Sequence, residues 1–185
     1  MKTILCYGDS ITWGYIPGNL GRYPRAGRWP WMLQDRLGKE YEVIAEGLCG
    51  RYTVLDEPYR SGRNGAMLLQ PILESHAPID LLVLFLGKND VLHFADMTAY
   101  DAARGIEVLI KMAKTSETGR TESSPEILVV SPSLIRELSD ELQILCHGNP
   151  RMSLEFSRFY SEVAQRHGVH FLDAAQICEP SSSSR

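Results

Sequence analysis

Three short polar stretches, far apart in the chain, carry residue types suited to acyl chemistry: Gly8-Asp9-Ser10, Gly47-Leu48-Cys49-Gly50 and Gly87-Lys88-Asn89-Asp90. A serine hydroxyl is a weak nucleophile until a base takes its proton, and it needs a position where N–H groups face the developing oxyanion. Ser10 meets the second requirement. It follows an apolar run and precedes Ile11-Thr12-Trp13-Gly14, which can open a helix whose N–H groups favour negative charge. Asn89 offers a side-chain amide as donor, and Gly50 offers a backbone N–H. Each stretch also reads as ordinary turn chemistry, because Gly, Asp, Asn and Ser populate turns for conformational reasons alone.

The surrounding elements place these residues together. Thr3–Tyr7 is a β-rich run that stops at Gly8, and Tyr41–Glu46 alternates and then stops at Gly47. Ile79–Leu86 is almost continuously apolar, as expected of a strand covered on both faces, and ends in the polar turn holding Asn89. Glu126–Val130 and Val169–Leu172 read as further strands. Helical spacing predicts Trp31–Leu37, with Trp31 and Leu33 inward, and Met67–Ser75. It also predicts Thr98–Thr115, with a capping pair Thr98/Asp101 and a stripe of Ala102, Ile106, Leu109, Ile110 and Ala113. A last helix, Leu154–His167, ends at Gly168, while Leu20–Trp29 and Arg120–Pro125 read as loops. Strands alternating with helices predict an α/β fold around a parallel sheet, with sites gathered at the carboxyl ends of its strands. Ser10, Gly50, Asn89 and Asp90 all fall there.

Bulk properties narrow the function. The 185 residues, 44% hydrophobic and 23% charged, suit one domain spanning residues 1–185. A net charge of −4 argues against nucleic-acid partners. The start MKTILCYGDS reaches its polar turn too soon for a secretory signal, and apolar runs are broken before they can span a bilayer. The expectation is a cytoplasmic protein without membrane association. Cys6, Cys49, Cys146 and Cys178 form no Cys-x-x-Cys pair and lack a nearby histidine at ligand spacing, so a structural zinc site is not expected. They read as reduced, mostly buried thiols.

Taken together, GDSITWGY, GLCGRYT and LGKND resemble three of the four blocks of the SGNH (GDSL-like) hydrolases. RYPRAGRWP, EILVVSPSLI and GVHFLDAAQI are similar to its branch of bacterial arylesterases and esterase-acyltransferases. The resemblance covers essentially the whole chain. It implies a flavodoxin-like three-layer α/β fold and a serine-dependent carboxylic-ester hydrolase, possessing no cofactor, for short acyl or aryl esters, with acyl transfer as a further activity. It implies Ser10 as nucleophile, and Gly50 and Asn89 as oxyanion donors beside the Ser10 N–H. Where the family usually has Thr, this chain has Lys88, read as a surface change. Asp9 reads as structural, and Trp13, Tyr15 and Trp29 as candidates for the acyl or alcohol pocket, although aromatics are more often simply core, while His93 reads as substrate-side lining or surface before it reads as a stand-in base.

The fourth block, Asp-x-x-His, supplies the family's base and its orienting acid. It does not occur after Ser10 in this sequence. His76, His147, His167 and His170 read as structural or surface residues, and Asp173 as a structural acid. A missing final helix would leave apolar surface near the first and last strands, to be covered by further residues or by a homo-oligomer partner. The alternative reading is therefore an impaired or truncated SGNH scaffold that binds acyl ligands or partners. A phosphate-binding module is the weaker option, since Gly-rich and basic character is lacking.

Overall fold

Along the first strand the side chains divide by parity: Leu5 and Tyr7 enter one apolar cluster and Ile4 and Cys6 the other. That division is the two-residue period of a strand covered on both faces. The computed structural model describes residues 1–17, 21–135 and 146–177. Its strands are β1 (Lys2–Gly8), β2 (Tyr41–Gly47), β3 (Leu81–Phe85), β4 (Glu126–Ser131) and β5 (His170–Asp173). All pair in parallel, in the order β2-β1-β3-β4-β5. This is the flavodoxin-like order, in which the chain reverses its direction of winding between β1 and β3.

Six helices complete the described layers: α1 (Ser10–Trp13), α2 (Trp29–Leu37), α3 (Gly65–Ser75), α4 (Lys88–His93), α5 (Ala99–Lys114) and α6 (Phe156–His167). On one face, Leu69 and Leu73 of α3, Ile106, Leu109 and Ile110 of α5, and Phe156, Tyr160 and Val163 of α6 form one apolar cluster with Leu5 and Tyr7 of β1, Leu82 and Leu84 of β3, and Ile127 and Val129 of β4. Burying each large aliphatic side chain contributes roughly 1.5–3 kcal/mol before entropy is counted. The predicted α5 stripe is fully buried, and Thr98 and Asp101 form the predicted capping box. On the opposite face, Trp29, Leu33 and Leu37 of α2 cover Ile4, Cys6, Val43 and Val83.

The sequence reading needs correction in this layer. Helix α2 begins at Trp29 with Pro30 in its first turn, after a 3₁₀ turn at Arg25–Gly27 within the predicted loop. Leu20, the first residue of that loop, lies outside the described residues. Trp29, not Trp31, faces the sheet: its ring meets Phe85 edge-on at 6.2 Å. Trp31 instead lies half-buried beneath the Arg25 guanidinium, 3.7 Å from its ring centre. The predicted turn after Leu86 winds into α4, and the predicted helix from Leu154 opens as a 3₁₀ segment, Pro150–Glu155.

An open groove of about 500 Å³ lies over the amino ends of the strands, floored by Ile4, Leu81 and Leu128 and edged by Tyr41 and His170. It therefore opens at the end of the sheet opposite Ser10. No helix among the described residues is long and apolar enough to cross a membrane.

Tyr160 ties α6 to the carboxyl end of β3, its buried hydroxyl donating to the Leu86 carbonyl at 2.9 Å. Replacing it with Phe leaves that carbonyl without its donor, and Tyr160→Phe is expected to lower unfolding stability by about 1–2 kcal/mol. Urea denaturation of the variant and parent checks this.

Candidate active site

The register of the sheet brings the three polar stretches to one level. Gly8 pairs with Gly47 on one side and with Phe85 on the other. Ser10, Gly50 and Asn89 thus leave the sheet within a few residues of a common line, beside the β1/β3 reversal. Close approach at this edge excludes a side chain from position 47, where a Cβ would lie 2.2 Å from the Trp13 backbone nitrogen.

One residue that sequence reasoning missed joins these loops. Arg51 is 3% exposed; its Nη1 donates to the Gly8 carbonyl at 3.0 Å and also to the Glu46 carbonyl. Its guanidinium lies 4.1 Å from the Tyr7 ring centre, and Tyr7 in turn donates to the Gly65 carbonyl at 2.7 Å. The Arg51 carbonyl accepts from Asn89 Nδ2 at 3.0 Å, so the loop after β2 is tied to both neighbours. Arginine within GLCGRYT was the available signal, but an arginine in a polar loop ordinarily reads as surface.

Ser10 is the first residue of α1, half-buried, with Asp9 as N-cap. Asp9 Oδ1 accepts from Ile11 N at 2.9 Å and fixes the turn that presents Ser10. The Ser10 hydroxyl, the Ser10 N–H and the Gly50 N–H make no hydrogen bond to a described residue. Gly50 holds φ +76, and the Arg60 guanidinium occupies the space where a Cβ would stand. Asn89 is 7% exposed and spends one amide hydrogen on Arg51, leaving the other available. Geometry therefore leaves one hydroxyl and three donors without a partner among the described residues, on segments that register brings together.

Behind them lies a group of buried charges. Burial pushes the Asp9 carboxyl up to about 6 against the opposing pull of Ile11 N–H, Lys88 and Arg51. Asp90, fully buried, is also pushed up to about 6 by burial, although Thr53 donates to it through Oγ1 at 2.5 Å and through its N–H at 3.2 Å. Desolvation lowers both Arg51 and Lys88, while the charge of Asp9 works to hold each protonated. Lys88 is thus not the surface substitution the sequence suggested. It is half-buried, at the first position of α4.

The remaining candidates are dispersed. Trp13 closes α1, with Arg22 stacked 4.5 Å from its ring centre, and Tyr15 bridges to Arg22 through the backbone. His93 ends α4 and meets the Tyr52 ring edge-on at 6.1 Å. His76, His167 and His170 are each paired with a glutamate, Glu46, Glu107 and Glu126 respectively, while His147 is exposed. Asp173 is structural as expected, accepting from Ser131 Oγ at 2.9 Å and from Ala175 N at 3.0 Å. Cys6, Cys49 and Cys146 are free thiols, and burial pushes Cys6 up to about 12. Cys178 and the tail after it lie outside the described residues. No cluster of His, Cys, Asp and Glu among the described residues can hold a metal ion.

The sequence profile of the GDSL-like lipase/acylhydrolase family matches residues 6–185. The chain belongs to this family. A carbohydrate acetylesterase family member from Sinorhizobium meliloti is 38% identical, with a TM-score of 0.92 over 100% of this chain and 88% of that one. The inhibitor-bound aryl esterase of M. smegmatis is 35% identical, with a TM-score of 0.93 over 99% and 88%. Est24, a carbohydrate acetylesterase from Sinorhizobium meliloti, is 34% identical, with a TM-score of 0.91 over 98% and 87%. No curated protein matches the chain. The GDSL-type chain is a carboxylic ester hydrolase with the α/β architecture its blocks implied.

In this enzyme the Thr53 hydroxyl and N–H favour the ionised form of Asp90 against the cost of burial. Removing the hydroxyl raises the Asp90 carboxyl further above its unfolded value, so the added penalty is present where Asp90 must be charged and relieved where it is protonated. Thr53→Val is therefore expected to lose more stability at about pH 8 than at about pH 5. Paired urea titrations at the two pH values check the sign.

Proposed function

We propose that ester hydrolysis by this chain is serine-dependent, with Ser10 as the nucleophile. The Ser10 hydroxyl attacks the ester carbonyl and passes its proton to a base. The carbonyl oxygen becomes an oxyanion received by the N–H groups of Ser10 and Gly50 and the free amide hydrogen of Asn89. Collapse, with the proton returned from the base to the leaving oxygen, expels the alcohol and leaves an acyl-serine, which water cleaves to the acid. The observation that carries this reading is the set of three unpaired donors on loops tied to the Ser10 turn, with Asn89 oriented by the Arg51 carbonyl. Short acyl and aryl esters are the proposed substrates, in keeping with the acetylesterase and aryl esterase names of the similar structures. Trp13 and His93 are proposed to line the substrate side, as the half-buried ends of α1 and α4. An alcohol in place of water would turn the same acyl-serine to acyl transfer.

Hydrolysis of p-nitrophenyl acetate by the parent protein, Ser10→Ala and Asn89→Ala tests this. Ser10→Ala is expected to reduce turnover to background, and Asn89→Ala to lower kcat by about 10²–10³-fold. Unaltered turnover in Ser10→Ala would leave the impaired-scaffold reading in its place. Product analysis with added alcohol separates transfer from hydrolysis.

A further inference from the structure

Leu48, Cys49, Gly50 and Arg51 form a four-residue turn, closed by the Arg51 N–H donating to the Leu48 carbonyl at 3.1 Å. Gly50 takes the third place with φ +76, where turns with a left-handed residue favour glycine. The middle peptide of the turn carries the Gly50 N–H, so the direction of that donor depends on how the two ends of the turn are held. One end is held by β1, since the Leu48 N–H donates to the Gly8 carbonyl at 3.1 Å. Arg51 holds the other end, with backbone and side chain together.

Arg51 Nη1 reaches the same Gly8 oxygen at 3.0 Å and also the Glu46 carbonyl, so one nitrogen bonds two adjacent strands. The Arg51 carbonyl accepts from Asn89 Nδ2 at 3.0 Å. Two of the three proposed oxyanion donors, the Gly50 N–H and the Asn89 amide, are thus referred to a single residue. The side chain is a poor device for stability alone. It is 3% exposed, and its Nε–H has no partner among the described residues. A buried N–H left unpaired costs free energy, and an apolar side chain could fill the place over the Tyr7 ring without that cost. What an apolar side chain cannot do is bond two strand carbonyls and so fix where its own peptide lies.

We propose that Arg51 is a positioning residue for ester hydrolysis: its guanidinium, clamped on the Gly8 and Glu46 carbonyls, holds the Gly50 turn and the Asn89 amide in the relative orientation that receives the oxyanion. This rests on the Ser10 reading given above and on its donors, and requires no contact between Arg51 and the substrate. The direction of the donors is at stake, more than the positive charge. A lysine keeps the charge but cannot lie flat on the Tyr7 ring and bond both carbonyls. Misplacing a catalytic group by about 1 Å costs up to about 10²-fold in rate. Because the donors act on charge that develops in the transition state, the loss falls on kcat and leaves KM in place.

The test measures kcat and KM for p-nitrophenyl acetate in the parent, Arg51→Met, Arg51→Lys, Asn89→Ala and the two double variants, each first shown to unfold cooperatively in urea. Arg51→Met and Arg51→Lys are each expected to lower kcat by about 10- to 100-fold, with KM within about twofold of the parent. In the Asn89→Ala background the same substitutions are expected to cost about tenfold less, because one of the donors they misplace is already gone. Arg51→Lys carries the cycle by itself if Arg51→Met does not fold. Losses that simply multiply in the double variants overturn the proposal, since Arg51 would then serve the fold and not the donors. Parental kcat in Arg51→Lys also overturns it, because charge alone would suffice, and so does a raised KM at unchanged kcat. Turnover left intact in Ser10→Ala or Asn89→Ala removes the nucleophile or the donor on which the proposal rests. Turnover lost in both, with multiplying Arg51 losses, sinks the role of Arg51 and leaves the nucleophile standing.

Discussion

Arg51 draws the strand ends into a single site. Its guanidinium donates to carbonyls of β1 and β2 while lying on the Tyr7 ring, and its own carbonyl holds Asn89 of α4. A parallel sheet aligns strand ends but does not fix the loops that leave them. Arginine suits this task because its rigid planar group carries several donors in fixed directions, and a lysine could not satisfy two carbonyls while lying flat on an aromatic ring. Through this one residue the nucleophile turn, the Gly50 loop and the Asn89 amide share a frame.

Keeping that frame means keeping charge away from water. Asp9 and Asp90 are both nearly inaccessible, both are raised by burial, and Asp9 acts on Asp90 as a like charge. Thr53 offsets the penalty at Asp90 by direct hydrogen bonds, whereas Asp9 relies on the Ile11 N–H and on the positive field of Arg51 and Lys88. These arrangements are coupled because all belong to loops at the same sheet edge. A polar network of this kind is costly when incomplete and rigid when satisfied, which suits donors that must already point at an oxyanion before it forms.

Much of the fold was legible because its periodicities are strong. The apolar stripe of α5 and its Thr98/Asp101 cap could be read directly, as could the continuous run that became β3, since local spacing decides which face can be buried. Ser10, Gly50 and Asn89 were legible as an ordered set of polar residues after strand ends. The choice between Trp29 and Trp31 was not. Two tryptophans two residues apart both suit an amphipathic helix, and only the position of Phe85 on β3 and of Arg25 on the preceding turn assigns one to the sheet and the other to a guanidinium.

The sequence by itself determined the alternation of strands and helices, the family blocks and the residue types available for acyl chemistry, because these depend on local pattern and order. Tertiary structure decided which polar side chains lose their water. Arg51 and Asp90 look like solvated loop residues in the sequence, yet the 2-1-3 order of strands buries both at a common edge, with Lys88 half-buried near them. Desolvation, and with it each group's charge and partners, depends on what arrives from elsewhere in the chain.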